Sequence, residues 1–233
     1  EKARAKKILS ILKSEYSDAK IALNFSNPFE LLIATILSAQ CTDERVNIVT
    51  KELFKKYNTP EKFISVDSTI IEKEIFSTGF YKQKAKSIQE CCKQLIEKHN
   101  GEIPKNFDEL TNLSGVGRKT ASVVLGNAFG IPSIAVDTHV KRLSNLLGFV
   151  QTDDADKIEI ELKKIYDESE WIMLSHYLIN HGRKICIARR PKCVECKISV
   201  YCPSVNLREK KWMINWETEV IAWAYCTSLQ NQK

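Results

Sequence analysis

The chain has 233 residues, 43% of them hydrophobic, enough to fill the core of one large domain or two modest ones without disulfide help. Lysine and arginine outnumber aspartate and glutamate by 35 to 29, and the net charge of +6 leans toward polyanionic partners such as DNA. No apolar run is long enough to span a bilayer, which argues against a helical membrane protein.

At the N-terminus Lys2, Arg4, Lys6 and Lys7 precede Ile8 and Leu9 like the start of a secretion signal, but Lys13 and Glu15 interrupt the apolar run almost at once. The chain opens on Glu1 rather than Met, so a few starting residues are expected to be missing. Asn27 followed by Pro28 reads as a cap with proline in the first turn, and Phe29 to Leu37 continues as a strongly apolar, buried helix. Between Tyr81 and Lys98, Ile88, Cys91, Cys92, Leu95 and Ile96 fall on one face at three- and four-residue steps. A further amphipathic helix fits Ala155 to Tyr166, with Ile158, Leu162 and Ile165 in its stripe. Pro104, Pro132 and the stretch from Gly148 mark breaks between helices. With no convincing strand pattern anywhere, the fold class is expected to be all-α.

The most informative stretch is Leu113-Ser114-Gly115-Val116-Gly117-Arg118-Lys119-Thr120-Ala121, between a short helix around Phe107 to Leu110 and a longer one ending near Phe129. Two glycines two apart allow a tight turn that exposes backbone amides at a helix start, a site for phosphate. A Gly-x-Gly alone is more often an ordinary helix-helix turn. In the second helix Ala121, Val124, Leu125 and Ala128 form the apolar stripe, and Lys119 points about 160° away from Ala121. An outward lysine is usually only a solvated charge. This one sits in a first helical turn beside Arg118, where helix dipole and neighbouring cation both disfavour the ammonium form, and a neutral amine can attack a sugar carbon. Asp137, where another helix begins after Pro132, reads equally as an N-cap and as a carboxylate able to activate an amine or water. His139 reads as structural, orienting this loop.

Eight cysteines divide into scattered ones and a group, Cys186, Cys193, Cys196 and Cys202, crowded into 17 residues with spacing C-x6-C-x2-C-x5-C. In a chain without a secretion signal this is a metal site and not a disulfide framework. Four thiolates suit zinc or a [4Fe-4S] cluster, and spacing alone leaves zinc the commoner choice. Arg189, Arg190 and Lys192 lie between the first two cysteines, a basic loop tied at both ends and suited to phosphate. From Val205 onward, Trp212, Trp216, Val220 and Trp223 recur at roughly helical spacing, which fits an added helix or a frayed extension equally.

Taken together these residues resemble the bacterial endonuclease III family of the helix-hairpin-helix superfamily. The resemblance runs from the N-terminus to about Val205 through Leu37-Ser38-Ala39-Gln40, Thr42-Asp43, the Gly115 to Ala121 hairpin, Val136-Asp137-Thr138-His139, His181-Gly182-Arg183 and the four cysteines. It implies a helix-hairpin-helix DNA glycosylase fold: a six-helix domain at 21–131, a discontinuous iron-sulfur cluster domain at 1–20 and 132–205, and an atypical extension at 206–233. The cluster is then expected to be [4Fe-4S], with Lys119 the nucleophile and Asp137 its catalytic partner. DNA is expected in the cleft between the domains, with Gln40 filling the gap left by the extruded nucleotide and Phe80 wedging into the opposite strand. The plain alternatives are a surface amide at Gln40 and core packing at Phe80, and Phe80 replaces an expected aliphatic side chain, which bears on lesion preference. The implied activity is excision of oxidised pyrimidines and nicking of the abasic site by β-elimination. The implied setting is a cytoplasmic, nucleoid-associated bacterial monomer acting on double-stranded DNA that carries damaged pyrimidines or abasic sites. Two rivals stand beside it. The adenine glycosylases of oxidised-guanine mismatches share hairpin and cluster but generally lack the lysine and carry a long C-terminal domain. A catalytically silent DNA-binding module with structural zinc is the other.

Overall fold

A computed structural model describes residues 1–205, and the extension at 206–233, with its tryptophan stripe, lies outside the described residues. Within 1–205 all regular structure is helical, as the absence of alternating patterns leads one to expect, and no helix is long and apolar enough to cross a membrane. The chain divides into two compact units.

One unit comprises 18–137 and 166–176. Its centre is α2 (Pro28–Leu37), in which Phe29 and every residue from Leu31 to Leu37 is buried, so the helix is apolar on all sides because neighbours surround it. The side chain of Asn27 accepts from the Glu30 amide at 2.9 Å and Pro28 fills the first position, a start that contributes on the order of 1 kcal/mol. Around it stand α3 (Asp43–Lys56), the short α4 (Pro60–Ile64), α5 (Ser68–Ile75), α6 (Tyr81–His99), the short α7 (Phe107–Thr111) and α8 (Arg118–Phe129). α2 packs on α8, α3 and α6, while α6 holds α4 and α5. The predicted α6 stripe is buried at Ile88, Cys91, Cys92 and Leu95, with Ile96 at its edge.

The other unit contains α1 (Lys2–Glu15), α9 (Thr138–Leu146), α10 (Ala155–Ile165) and the loop that carries the four cysteines. The last α-helix among the described residues, α11 (Trp171–Lys184), contributes residues through His176 to the first unit and the rest to this one. α1 buries Ala5, Ile8, Leu9 and Leu12. Its ends are tied to the cysteine loop by Arg4 donating to the Tyr201 carbonyl at 2.8 Å and by a Lys197–Glu15 ion pair. In α10 the expected stripe is buried at Ile158 and Leu162.

Candidate active site and nucleic-acid interface

The glycine-bearing turn joins α7 to α8 and is seated on the core by Leu110, Leu113 and Val116, all buried. Asn106 caps α7 by accepting from the amides of Asp108 and Glu109. The Ser114 amide donates to Gln94 Oε1 at 2.8 Å, which anchors the turn to α6. Gly115 has φ +76°, and a Cβ there would lie 3.0 Å from that of Ser87, so conformation and space both require glycine. Gly117 is different: its φ is −90° and a Cβ would meet nothing within 4 Å. No protein atom excludes a side chain at Gly117. The space it leaves faces the start of α8, whose first amides receive no side-chain cap. Amides that no side chain caps, at the positive end of a 12-residue helix, suit an anionic oxygen.

Arg118 and Lys119 occupy the first two positions of α8, and both are exposed. The Arg118 guanidinium lies over the Phe107 ring, 4.7 Å from its centroid, so it is drawn back onto α7. On the opposite side of α8, Ala121, Val124 and Leu125 are buried as the helical stripe requires. Asp137 is half-buried and immediately precedes α9. The extended segment leading to it is fastened to α8 by Ser133 Oγ donating to the Ser122 carbonyl at 2.7 Å, one turn beyond Lys119. The Ala135 amide donates to Ser175 Oγ at 3.0 Å. Gly126 permits this close seating, because a Cβ there would lie 3.0 Å from Ser133 Oγ.

Gln40 and Phe80 follow α2 and the 3-10 turn Phe76–Thr78 respectively. Phe80 is 65% exposed and packs no core. Gln40 is exposed as well. Both have left-handed backbones, φ 53° and 49°, which non-glycine residues rarely adopt. Asn100 shares that conformation, but as the ordinary residue just past the end of α6.

In the other unit Cys186, Cys193, Cys196 and Cys202 line one hollow with Leu143, Leu147 and Ile198, and all four thiols are half-buried. Burial pushes the Cys196 thiol up to about 11, opposed next by the Ile198 backbone hydrogen bond, with smaller upward contributions from Cys186, Cys202 and Cys193. Among the described residues no three His, Cys, Asp or Glu side chains are arranged to close on a single metal ion. Arg189, Arg190 and Lys192 project from the intervening loop, all exposed, with Lys192 3.8 Å from Glu195.

Arg142, Tyr16 and Lys84 escaped the sequence reading, which named His139, His181 and Gly182 without these contacts. The Arg142 guanidinium donates to the carbonyls of Cys186 (2.7 Å) and Gly182 (3.1 Å), holding the entry of the cysteine loop on α9. A Cβ at Gly182 would lie 2.7 Å from His139 Nδ1, which explains that glycine and gives His139 a packing role. Buried His181 stands between Tyr16 Oη, 2.9 Å from Nδ1, and Cys196 Sγ, 3.5 Å from Nε2. Burial holds this imidazole neutral, down to about 4, and raises the Tyr16 phenol to about 12. A neutral ring with Tyr16 donating to Nδ1 leaves Nε2–H to face the cysteine sulfur. Lys84, on the buried stripe of α6 four residues before Ile88, was also overlooked, and a lysine at an apolar position of that stripe is the signal that marks it.

A family model described as HhH-GPD superfamily base excision DNA repair protein matches residues 33–168. The chain is 48% identical over 207 residues to Endonuclease III of Synechocystis sp. (strain ATCC 27184 / PCC 6803 / Kazusa), covering 88% of this chain and 94% of that protein. Two solved structures match with a TM-score of 0.87, each covering 90% of this chain and 99% of the other. One is a non-covalent Endonuclease III-DNA complex at 46% identity, the other a trapped Endonuclease III-DNA covalent intermediate at 47%.

Proposed function

The chain belongs to the endonuclease III family within the HhH-GPD superfamily of base excision DNA repair proteins, and from that premise we propose that it excises oxidised pyrimidines and nicks the abasic site through Lys119. The observation that carries the proposal is the start of α8. There uncapped amides, a glycine with open space in front of it and an exposed lysine amine stand within one helical turn. The amides of Gly115 and Gly117, with Arg118 beside them, would hold a backbone phosphate, and a damaged pyrimidine, already weakly stacked, would swing out of the helix. Gln40 would occupy the vacated space and Phe80 would enter the opposite strand.

Lys119 must first lose a proton, for which Asp137 is the acceptor we assign. The amine nitrogen then bonds to C1′ of the sugar while the C1′–N bond to the base breaks, and the base leaves with the electron pair and gains a proton. The Asp137 carboxylate offsets positive charge on the sugar as that bond opens. Ring opening leaves a lysine imine at C1′. Loss of a C2′ proton then expels the 3′ phosphate, and water hydrolyses the imine to free Lys119. The covalent DNA complex trapped for a 47% identical relative supports such a linkage.

The four cysteines fit a [4Fe-4S] cluster. They line one hollow and supply only sulfur, the donor set such a cluster takes. Cys186, Cys193, Cys196 and Cys202 would be its ligands, with His181 Nε2–H directed at the Cys196 sulfur. Bound there, the cluster would supply cross-linking that keeps Arg189, Arg190 and Lys192 on one presented loop. Such activity on chromosomal DNA would put the enzyme in the bacterial cytoplasm at the nucleoid, working as a monomer.

Borohydride tests the assignment. With a duplex carrying thymine glycol we expect a reduced covalent protein-DNA adduct, absent in Lys119→Ala. An adduct that survives in Lys119→Ala, or none with the unaltered protein, removes Lys119 from the mechanism.

A further inference from the structure

Lys84 is 5% exposed, an unusual position for a lysine, and charged groups are buried only where specific partners hold them. Its ammonium donates to two backbone carbonyls, Leu37 and Thr78, each at 2.8 Å. Leu37 is the last residue of α2, so its carbonyl is among those left without an intrahelical partner at the negative end of the helix dipole. Thr78 is the last residue of the 3-10 turn Phe76–Thr78. Burial pulls the Lys84 pKa below its ordinary range, with the Cys41 thiol acting in the opposite direction. Gln40 lies three residues beyond Leu37, and Phe80 two residues beyond Thr78. Both have the left-handed backbone that persists only where surroundings impose it.

We propose that Lys84 is a positioning residue whose ammonium ties the Gln40 loop and the Phe80 loop to one point and so sets the spacing at which the two side chains enter a duplex. The inference rests on the roles given to Gln40 and Phe80 under the proposed function. A lysine suits the task because three donors on a compact head can reach carbonyls of two separate loops, and a charged donor makes each hydrogen bond stronger than a neutral one would. Lys84 touches neither substrate nor reacting atoms in this scheme. Its effect passes through two other residues, and that dependence is measurable.

The test is a mutant cycle in the full-length protein. Lys84→Met removes both hydrogen bonds at similar volume. We expect kcat/KM for thymine glycol in duplex DNA to fall roughly 10- to 100-fold, since two buried carbonyls lose a charged donor. Borohydride trapping of an abasic single strand, which has no opposite strand and no gap to fill, is expected to change by less than about threefold. In a Gln40→Ala/Phe80→Ala background, adding Lys84→Met is expected to cost less than about threefold on the duplex, because no side chains remain to be placed. An equal loss in both backgrounds, or an equal loss on duplex and single strand, makes Lys84 a general support of the fold and overturns the proposal. If Lys84→Met does not fold, Lys84→Arg carries the same cycle. Its planar fork satisfies carbonyls at a different spacing, so its duplex loss must also shrink in the doubly substituted background. Unaltered protein that neither excises the base nor forms an adduct overturns the functional reading itself. Active unaltered protein with an additive cycle overturns the role of Lys84 alone.

Discussion

The two glycines of the hairpin look alike in sequence and differ in what demands them. Gly115 is held by its own backbone, with φ +76° and Ser87 directly in front of it, whereas Gly117 is free of both constraints. Gly115→Ala should therefore cost about 1–3 kcal/mol of stability, read as a lower urea midpoint. Gly117→Ala should leave the midpoint within about 0.5 kcal/mol of the parent yet weaken binding to duplex DNA, because the added methyl stands where a phosphate would approach. Equal effects of the two on stability would mean that the open space in front of Gly117 serves no ligand. The same distinction applies at Gly182, whose neighbour His139 leaves no room for a Cβ.

Among the elements, α2, α6 and α10 were legible because their burial follows a helical period written in side-chain polarity. α1 was harder to read. Its basic start and short apolar run look like the beginning of a leader, but Ile8 and Leu12 lie one helical turn apart and both are buried in the unit that holds the cysteines. Leu12, 1% exposed, also lines a small cavity with Tyr16, His181 and Ile198. Leu12→Ala should destabilise that unit by about 2–5 kcal/mol and quicken bleaching of the visible absorbance in air, since the void opens beside the His181 imidazole that faces Cys196. Unchanged bleaching in a variant that melts earlier would confine α1 to a structural role remote from the thiols.

For the molecule as a whole, the colour and metal content of the purified protein report directly on the group held by the four thiols. The proposed [4Fe-4S] group predicts brown protein containing about four irons per chain, with colour and iron both lost in Cys196→Ser. One zinc per chain and no colour would instead fit a structural zinc site, and would leave the fold's placement of Arg189, Arg190 and Lys192 intact while discarding the cluster. The net charge of +6 says little by itself. What matters is that basic side chains and amides without a side-chain cap occur on particular turns, and composition has no access to that.

The sequence alone determined the helical class, the hairpin, the outward direction of Lys119 and the thiol group, because each depends on local period, on glycine or on close spacing along the chain. Lys84 with its two carbonyl partners, Arg142 on the cysteine loop, Ser133 on α8 and the Tyr16–His181–Cys196 line were decided only in three dimensions. One hydrogen bond of Lys84 reaches 47 residues back to Leu37, and that of Tyr16 spans 165 residues to His181. Such partners carry no mark in the sequence, since a carbonyl is the same at every position and becomes a ligand only when packing leaves it unpaired.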